Sequence, residues 1–328
     1  MQSELATLVE NLASRRVVVL GDLVADHYVF GQTDRVSREA PVLVVRYETS
    51  EVKLGGGANA AANVRSLGGQ VTAVGALGLD PMGDALHQEL ARAGIEAACE
   101  DFPGIKTETK MRILAGGLNT SRQQMLRVDR GNRPPLPEAL ERGLARRLEE
   151  ASHAADAILV SDYGAGVCNS HTRAVLQAAV ARGVPVCVDS RYGLLNFSGM
   201  TLCKPNEPEL ETLTQVPILD DASLSLAAAR GLELLECQAL LVTRGQKGMA
   251  LFLRSGEAHL IPVHGAKEAV DVTGAGDTVI ATFTLALAAG ASTLQAARLA
   301  NVAGALVVQK QGTATLSKEE LLAELQAS

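Results

Sequence analysis

The residues with the plainest chemical content are Asp271-Val272-Thr273-Gly274-Ala275-Gly276-Asp277-Thr278, which run straight into the apolar helical stretch VIATFTLALAAG at 279–290. Glycine-rich backbone at a helix N-terminus offers free N–H groups and the positive end of the helix dipole, and together these bind an anion. An aspartate in the same turn repels that anion, so phosphate affinity does not explain Asp277. It makes sense as a base that takes a hydroxyl proton while the amides of Gly274, Ala275, Gly276 and Asp277 hold a phosphoryl group in transfer. The plainer alternative is an N-cap, with Thr273 or Asp277 satisfying first-turn amides.

Other clusters have weaker signals. Gly21-Asp22-Leu23-Val24-Ala25-Asp26 closes the apolar run VVVLG (17–21). Ligands of open α/β sheets sit beyond the carboxyl ends of strands, which would aim Asp26, and with it Asp22, at ligand hydroxyls; a capped turn with surface carboxylates reads as well. Gly55-Gly56-Gly57-Ala58-Asn59 joins flexible backbone to an amide that both donates and accepts. GGGANA also fits GxGxxA, but it follows the polar segment SEVKL instead of a buried strand, which argues against a dinucleotide fingerprint. Asn206-Glu207-Pro208-Glu209 follows TLCK (201–204) and, taken alone, is a helix start with Asn206 as N-cap and Glu209 at the third position. Thr243-Arg244-Gly245 to Gly248 ends the run ALLVT (239–243). No GxxxxGK[ST] occurs, which excludes a P-loop mechanism, and neither HExxH nor a GxSxG elbow is found.

The scaffold for these residues reads as one α/β domain over 1–328, since 328 residues at 47% apolar content can bury a substantial core. Buried-strand runs occur at 17–21, 71–75, 157–161, 184–189, 201–204 and 239–243. Helical stretches fall between them at 59–68, 82–93, 136–151, 170–182, 207–214 and 222–235. That alternation predicts a mostly parallel sheet sandwiched by helices. Segments 28–53 and 107–130 instead alternate apolar with polar side chains, the pattern of half-exposed strands, and predict a small β lid.

Charge and cysteine usage narrow the class. With 37 acidic against 30 basic side chains, a net charge of −7 and no Lys/Arg-rich block, nucleic acid and membrane surfaces are disfavoured partners. The five cysteines are odd in number and form no CxxC pair, which predicts buried free thiols in a reducing cytoplasm. The polar N-terminal MQSELATLVENLASRR predicts neither a leader nor an anchor.

DVTGAGD resembles the DTxGAGD signature of the ribokinase-like (PfkB-type) carbohydrate kinases, and the other clusters occur in that family's order along essentially the whole chain. The resemblance implies an ATP-dependent kinase acting on a sugar hydroxyl, on an α/β fold with a β lid. Asp277 would be the base, and Gly274, Ala275 and Gly276 the anion hole. Asp22, Asp26, Gly56, Gly57 and Asn59 would meet the sugar. Asn206 would approach the ATP phosphates, Glu209 would support Mg²⁺ through water, and Asp271 would lie near the phosphates or a monovalent cation. Thr243, Gly245 and Gly248 would form the nucleotide-binding turn, with Asn301 facing the adenine or ribose. Val272, where the family has Thr, departs at a residue with no expected catalytic role.

Three segments, SREAPVLVV (37–45), SRQQMLRVD (121–129) and SDYGAGV (161–167), further resemble bacterial heptose 7-phosphate kinases of ADP-heptose and lipopolysaccharide synthesis. Arg38 stands where those enzymes commonly have Pro, and AGGLNT (115–120) adds length to the lid loop. A phosphorylated acceptor needs cations near the sugar; by position these are Lys53, Lys110, Arg112, Arg122, Arg127, Arg191 and, first among them, Lys204. Exposed lid edges suggest a homodimer through the lid. A fructose, fructose 1-phosphate or ribose-type kinase is the alternative substrate reading. A silent sugar-binding regulator is the alternative class, against which the intact Asp277, glycines, Asn206 and Glu209 weigh.

Overall fold

A computed structural model describes residues 2–117, 121–265 and 269–327. In chain order its strands are β1 (Arg16–Gly21), β2 (Leu23–Val36), β3 (Leu43–Gly56), β4 (Gln70–Val74), β5 (Ala76–Gly78), β6 (Glu96–Ala97), β7 (Glu100–Phe102), β8 (Glu108–Gly116), β9 (Gln123–Arg130), β10 (Ala157–Asp162), β11 (Val186–Ser190), β12 (Leu202–Cys203), β13 (Ala239–Thr243), β14 (Met249–Leu253) and β15 (Ala258–Ile261). The main sheet has the order β15-β14-β13-β12-β11-β10-β1-β4-β6. Neighbours from β6 to β13 run parallel, and β14 and β15 return antiparallel at the edge.

Strand β1 shows why the parallel strands read as unbroken apolar runs. Val17 and Val19 pack into one layer with Ala58 and Ile280 from helices Gly57–Ser66 and Ala275–Ala288. Val18 and Leu20 pack into the other with Leu140 and Leu144 of helix Glu138–Ser152. With both faces covered, no position favours a polar side chain. Helix Ala275–Ala288 has no solvent-facing side over 277–286 and crosses the first layer.

The second sheet has the order β3-β2-β8-β9. Its long β2–β3 hairpin pairs Leu23 with Gly56 at the root and Val36 with Leu43 at the tip, so it starts earlier and ends later than the expected 28–53. The chain passes from β1 into β2 across Asp22 alone, so the segment expected to close the first strand is already the root of the second sheet. Ala115 and Gly116 end β8, while 118–120 of the expected loop extension lie outside the described residues. Strands β14 and β15 were not among the expected runs. Each is short, and antiparallel pairing, of MALFL onto β13 and of AHLI onto β14, holds them extended. All five cysteines are unpaired, with Cys168 half-buried and the others buried. Among the described residues no helix is long and apolar enough to cross a membrane.

Candidate active site

Gly274 caps helix Ala275–Ala288 in the left-handed region, at φ 79°, and a Cβ there would stand 2.9 Å from Asn59 Nδ2. Only glycine makes that turn and leaves room for Asn59. Asp277 follows in the first helical turn, buried. Asn59 Nδ2 donates to its Oδ2 at 2.7 Å, and the Tyr163 hydroxyl donates to its Oδ1 at 3.1 Å. The next residue, Thr278, donates to Oδ1 of Asn63, one turn beyond Asn59, at 2.8 Å, so helices Gly57–Ser66 and Ala275–Ala288 are joined by two successive polar contacts. Burial pushes the Asp277 carboxyl up to about 7 and Asp189 adds to the rise, while Asn59, Tyr163 and Lys204 oppose it. A carboxylate poised there can exchange a proton near neutral pH.

Parallel neighbours β10, β11 and β12 bring their carboxyl ends into a row. Tyr163 follows β10, Asp189 lies in β11, and Lys204 follows β12. Lys204 Nζ pairs with Asp189 Oδ2 at 2.9 Å, and both stand about the Gly276 backbone, within 3.5 and 3.7 Å of where a Cβ would be. Lys204, expected at a substrate phosphate, lies beside the glycine turn that starts helix Ala275–Ala288. A cation there complements a transferring phosphoryl group.

Asp22 lines the cavity described below and accepts from three backbone amides. Its Oδ2 accepts from Tyr163 N at 2.7 Å and Ala165 N at 3.1 Å, and its Oδ1 accepts from Val167 N at 3.4 Å. Burial pushes this carboxyl up to about 6 against the lowering pull of those amides. Asp22 thus shapes the loop 163–167. Asp26 is buried and accepts from Arg112 at 2.7 Å, and Gly55 has no room for a side chain because the Asp26 carboxylate occupies it. Gly56 caps helix Gly57–Ser66, and its neighbour Gly57 packs on Gly21. Among the basic candidates, Lys110, Arg127 and Arg191 line one cavity of about 250 Å³ together with Glu108, Asp129 and Tyr163. Lys110 Nζ stands 4.7 Å from the Tyr163 ring centre. Arg122 is engaged with Glu48 and Lys53 with Glu51, away from that cavity.

A further group of predicted residues gathers around β12 to β15. Asn206 and Glu209 form a reciprocal capping box, Glu209 N to Asn206 Oδ1 at 2.8 Å and Asn206 N to Glu209 Oε2 at 2.9 Å. The plain helix-start reading of NxxE therefore holds in this structure, with Glu209 Oε1 outside the cap. Burial, and after it the charge of Asp189, raise the Glu209 carboxyl above its usual range. Asn206 bridges to Thr243, which leads into the turn Gly245–Lys247. Gly248, at φ 89°, closes against the Ile261 carbonyl, and Asn301 Nδ2 donates to the next carbonyl, Pro262 O, at 2.7 Å. Asp271 accepts from Thr273 N and Gly312 N, each at 2.9 Å; burial opposes its charge, yet these amides hold its carboxyl below the usual range. No cluster of three or more metal-ligating side chains occurs among the described residues.

Sequence reasoning assigned no role to Tyr163 or Asp189. Both follow from the rule it applied to Asp26, since each ends an apolar run that becomes a parallel strand. Tyr163 even falls within a segment, SDYGAGV, noted there for its resemblance alone.

A mostly parallel, doubly covered sheet with a glycine-lined helix N-terminus and a buried aspartate defines a phosphotransferase acting on a hydroxyl. The chain belongs to the pfkB family of carbohydrate kinases, whose pattern matches residues 14–320, and it is an ATP-dependent carbohydrate kinase. It is 39% identical over 320 residues to the bifunctional protein HldE of Trichlorobacter lovleyi, covering 97% of this chain and 64% of that protein. To the bifunctional protein HldE of Caulobacter vibrioides it is 41% identical over 327 residues, covering 98% and 66%. The chain thus spans slightly less than two thirds of these relatives' length. Among solved structures, it resembles Arabidopsis thaliana ribokinase complexed with ribose and ATP, with a TM-score of 0.75 and 25% identity over 96% of this chain and 100% of that one. Escherichia coli phosphofructokinase-2 in complex with potassium gives a TM-score of 0.79 at 20% identity, covering 96% and 99%, a likeness of fold.

Proposed function

We propose that this kinase phosphorylates D-glycero-D-manno-heptose 7-phosphate to the 1,7-bisphosphate, a step in making ADP-heptose for the lipopolysaccharide core. The carrying observation is the cavity lined by Lys110, Arg127 and Arg191, whose wall residue Tyr163 touches Asp277. Cations from three separate chain segments suit a substrate phosphate, Arg127 being paired with Asp129 at 2.9 Å in this structure, while Glu108 suits sugar hydroxyls. The lid segments' resemblance to heptose 7-phosphate kinases supports the sugar. So does identity of 39% to 41% to the HldE proteins, against 20% to 25% to the ribokinase and phosphofructokinase.

In this reading the acceptor oxygen attacks the γ-phosphorus of ATP, the bond from that phosphorus to the ADP oxygen breaks, and the hydroxyl proton passes to Asp277. The amides of Gly274, Ala275 and Gly276, with Lys204 beside them, hold the phosphoryl oxygens. Asp26, Asn59, Gly56 and Gly57 face the sugar. Asn206, Thr243, Gly245, Gly248, Asp271 and Asn301 hold the nucleotide. Glu209 and the nearby Asp189 are hard oxygen donors with mutually unfavourable charge, a set that fits Mg²⁺ completed by water and ATP oxygens. Bound there, Mg²⁺ would neutralise phosphate charge. A monovalent cation near Asp271, a cytoplasmic location and a homodimer through the second sheet belong to the same reading. Exposed Tyr47, Leu126 and Val128 on that sheet support the dimer.

A coupled ADP-release assay with heptose 7-phosphate, fructose, fructose 1-phosphate and ribose tests the assignment. The expected result is the highest kcat/KM on heptose 7-phosphate; a higher value on any of the other three overturns the sugar.

A further inference from the structure

Both oxygens of Asp277 are held before any substrate arrives, one by Asn59 and the other by Tyr163. Tyr163 is itself held at three points. Its amide is fixed by Asp22, whose carboxylate also takes Ala165 N and Val167 N. Lys110 covers its ring. The strand before it, β10, is locked between β1 and β11. A phenol so constrained is a donor of fixed direction, and a buried carboxylate is favoured in its charged form by each donor aimed at it.

We propose that Tyr163 is a positioning residue for the phosphoryl transfer, its hydroxyl orienting the Asp277 carboxylate and keeping it ionised for the acceptor's proton while its ring walls the acceptor cavity. This rests on the reading of Asp277 as the base. The charged groups around the pair are Asp277 on its helix, Asp189 in β11, Lys204 after β12, Arg191 after β11, which acts on the phenol, and Lys110 of β8 over the phenol ring. Asp189 opposes ionisation of Asp277 and Lys204 favours it. Asp22 also titrates near neutrality, but it accepts from the Tyr163 amide and has no contact with the phenol, so changing the hydroxyl leaves its partners in place.

Because Asp277 must be deprotonated to act, kcat/KM should rise with pH through about 7, the value to which burial pushes its carboxyl. Tyr163→Phe removes one donor to the charged form, so that limb should move up by about one pH unit, costing about tenfold in kcat/KM below the limb and little above it. Site-specific 3-fluorotyrosine at position 163, a stronger donor, should move the limb down instead, and it keeps the test decisive if the Phe variant does not fold. The assay is ADP release with heptose 7-phosphate across pH 5 to 10, beside Asp277→Asn. A limb that stays put in either soluble variant, or a loss in Tyr163→Phe equal at every pH, overturns the positioning role. Near-wild-type turnover in Asp277→Asn overturns the base itself, a separate outcome.

Discussion

All of β10 and every residue of β1 after Arg16 are buried, whereas each of the eight residues of β9 in the second sheet is exposed. Between these sheets the residues of the proposed site are divided. Asp277 rides on a helix packed on the main sheet, and Asp189, Tyr163 and Lys204 sit at its strand ends, where covering layers fix them. Asp26, Lys110 and Arg127 belong to a sheet with a solvated face. Rigid groups suit phosphoryl chemistry, which depends on position; a lightly packed surface suits an acceptor that varies between relatives.

The largest expected effect is at the rigid side. Asp277→Asn should lower kcat by about 10²–10⁴-fold, the usual contribution of a positioned base, with ATP affinity little changed. Unaltered turnover would move the base elsewhere. Next, Phe283→Ala in the fully buried helix should cost about 3–5 kcal/mol in denaturant unfolding. Leu126→Ala, at a residue 55% exposed on the second sheet, should cost about 0.5 kcal/mol or less. A loss at Leu126 that varies with protein concentration would instead report a second copy covering that face.

Neutralising Arg191, Lys110 or Arg127 singly should lower kcat/KM about 10–150-fold for heptose 7-phosphate, as a charge-assisted pair of roughly 1.5–3 kcal/mol is lost. Equal losses on unphosphorylated heptose would mean the cations hold structure, not phosphate. Among the site substitutions the smallest effect concerns Glu209→Gln, for which about tenfold more Mg²⁺ should be needed to reach half-maximal rate. An unchanged titration leaves Glu209 as the helix cap seen in the structure.

The Asp277 turn was readable because its whole logic is local: four consecutive amides and one carboxylate before an apolar helix. The strands of the main sheet were readable for a similar reason, since burial on both faces removes alternation. Strand order was not, because no local pattern says that β10, β11 and β12 lie side by side. The pairing of Lys204 with Asp189 and the reach of Tyr163 to Asp277 depend on that order. The backbone partners of Asp22 were hidden for a related reason: all three lie more than a hundred residues away in the chain, so nothing beside it showed that a residue lining the cavity also ties down the loop 163–167. NxxE read both ways, and its geometry as a cap leaves one carboxylate oxygen outside it.

The junction at Asp22 has a mechanical consequence. Only two stretches of β2 and β3 join the second sheet's hairpin to the main sheet, and they cross side by side, where Leu23 pairs with Gly56 and Gly57 N donates to Asp22 O at 2.9 Å. Gly56 is also the cap of the helix whose third residue, Asn59, grips Asp277. Any displacement of that hairpin would therefore be passed, like the turn of a crank on a shaft, to the start of this helix and through Asn59 to Asp277. Insertions at the far tips would lengthen the arm without slipping the gear, whereas a single residue added between Gly21 and Leu23 would uncouple it.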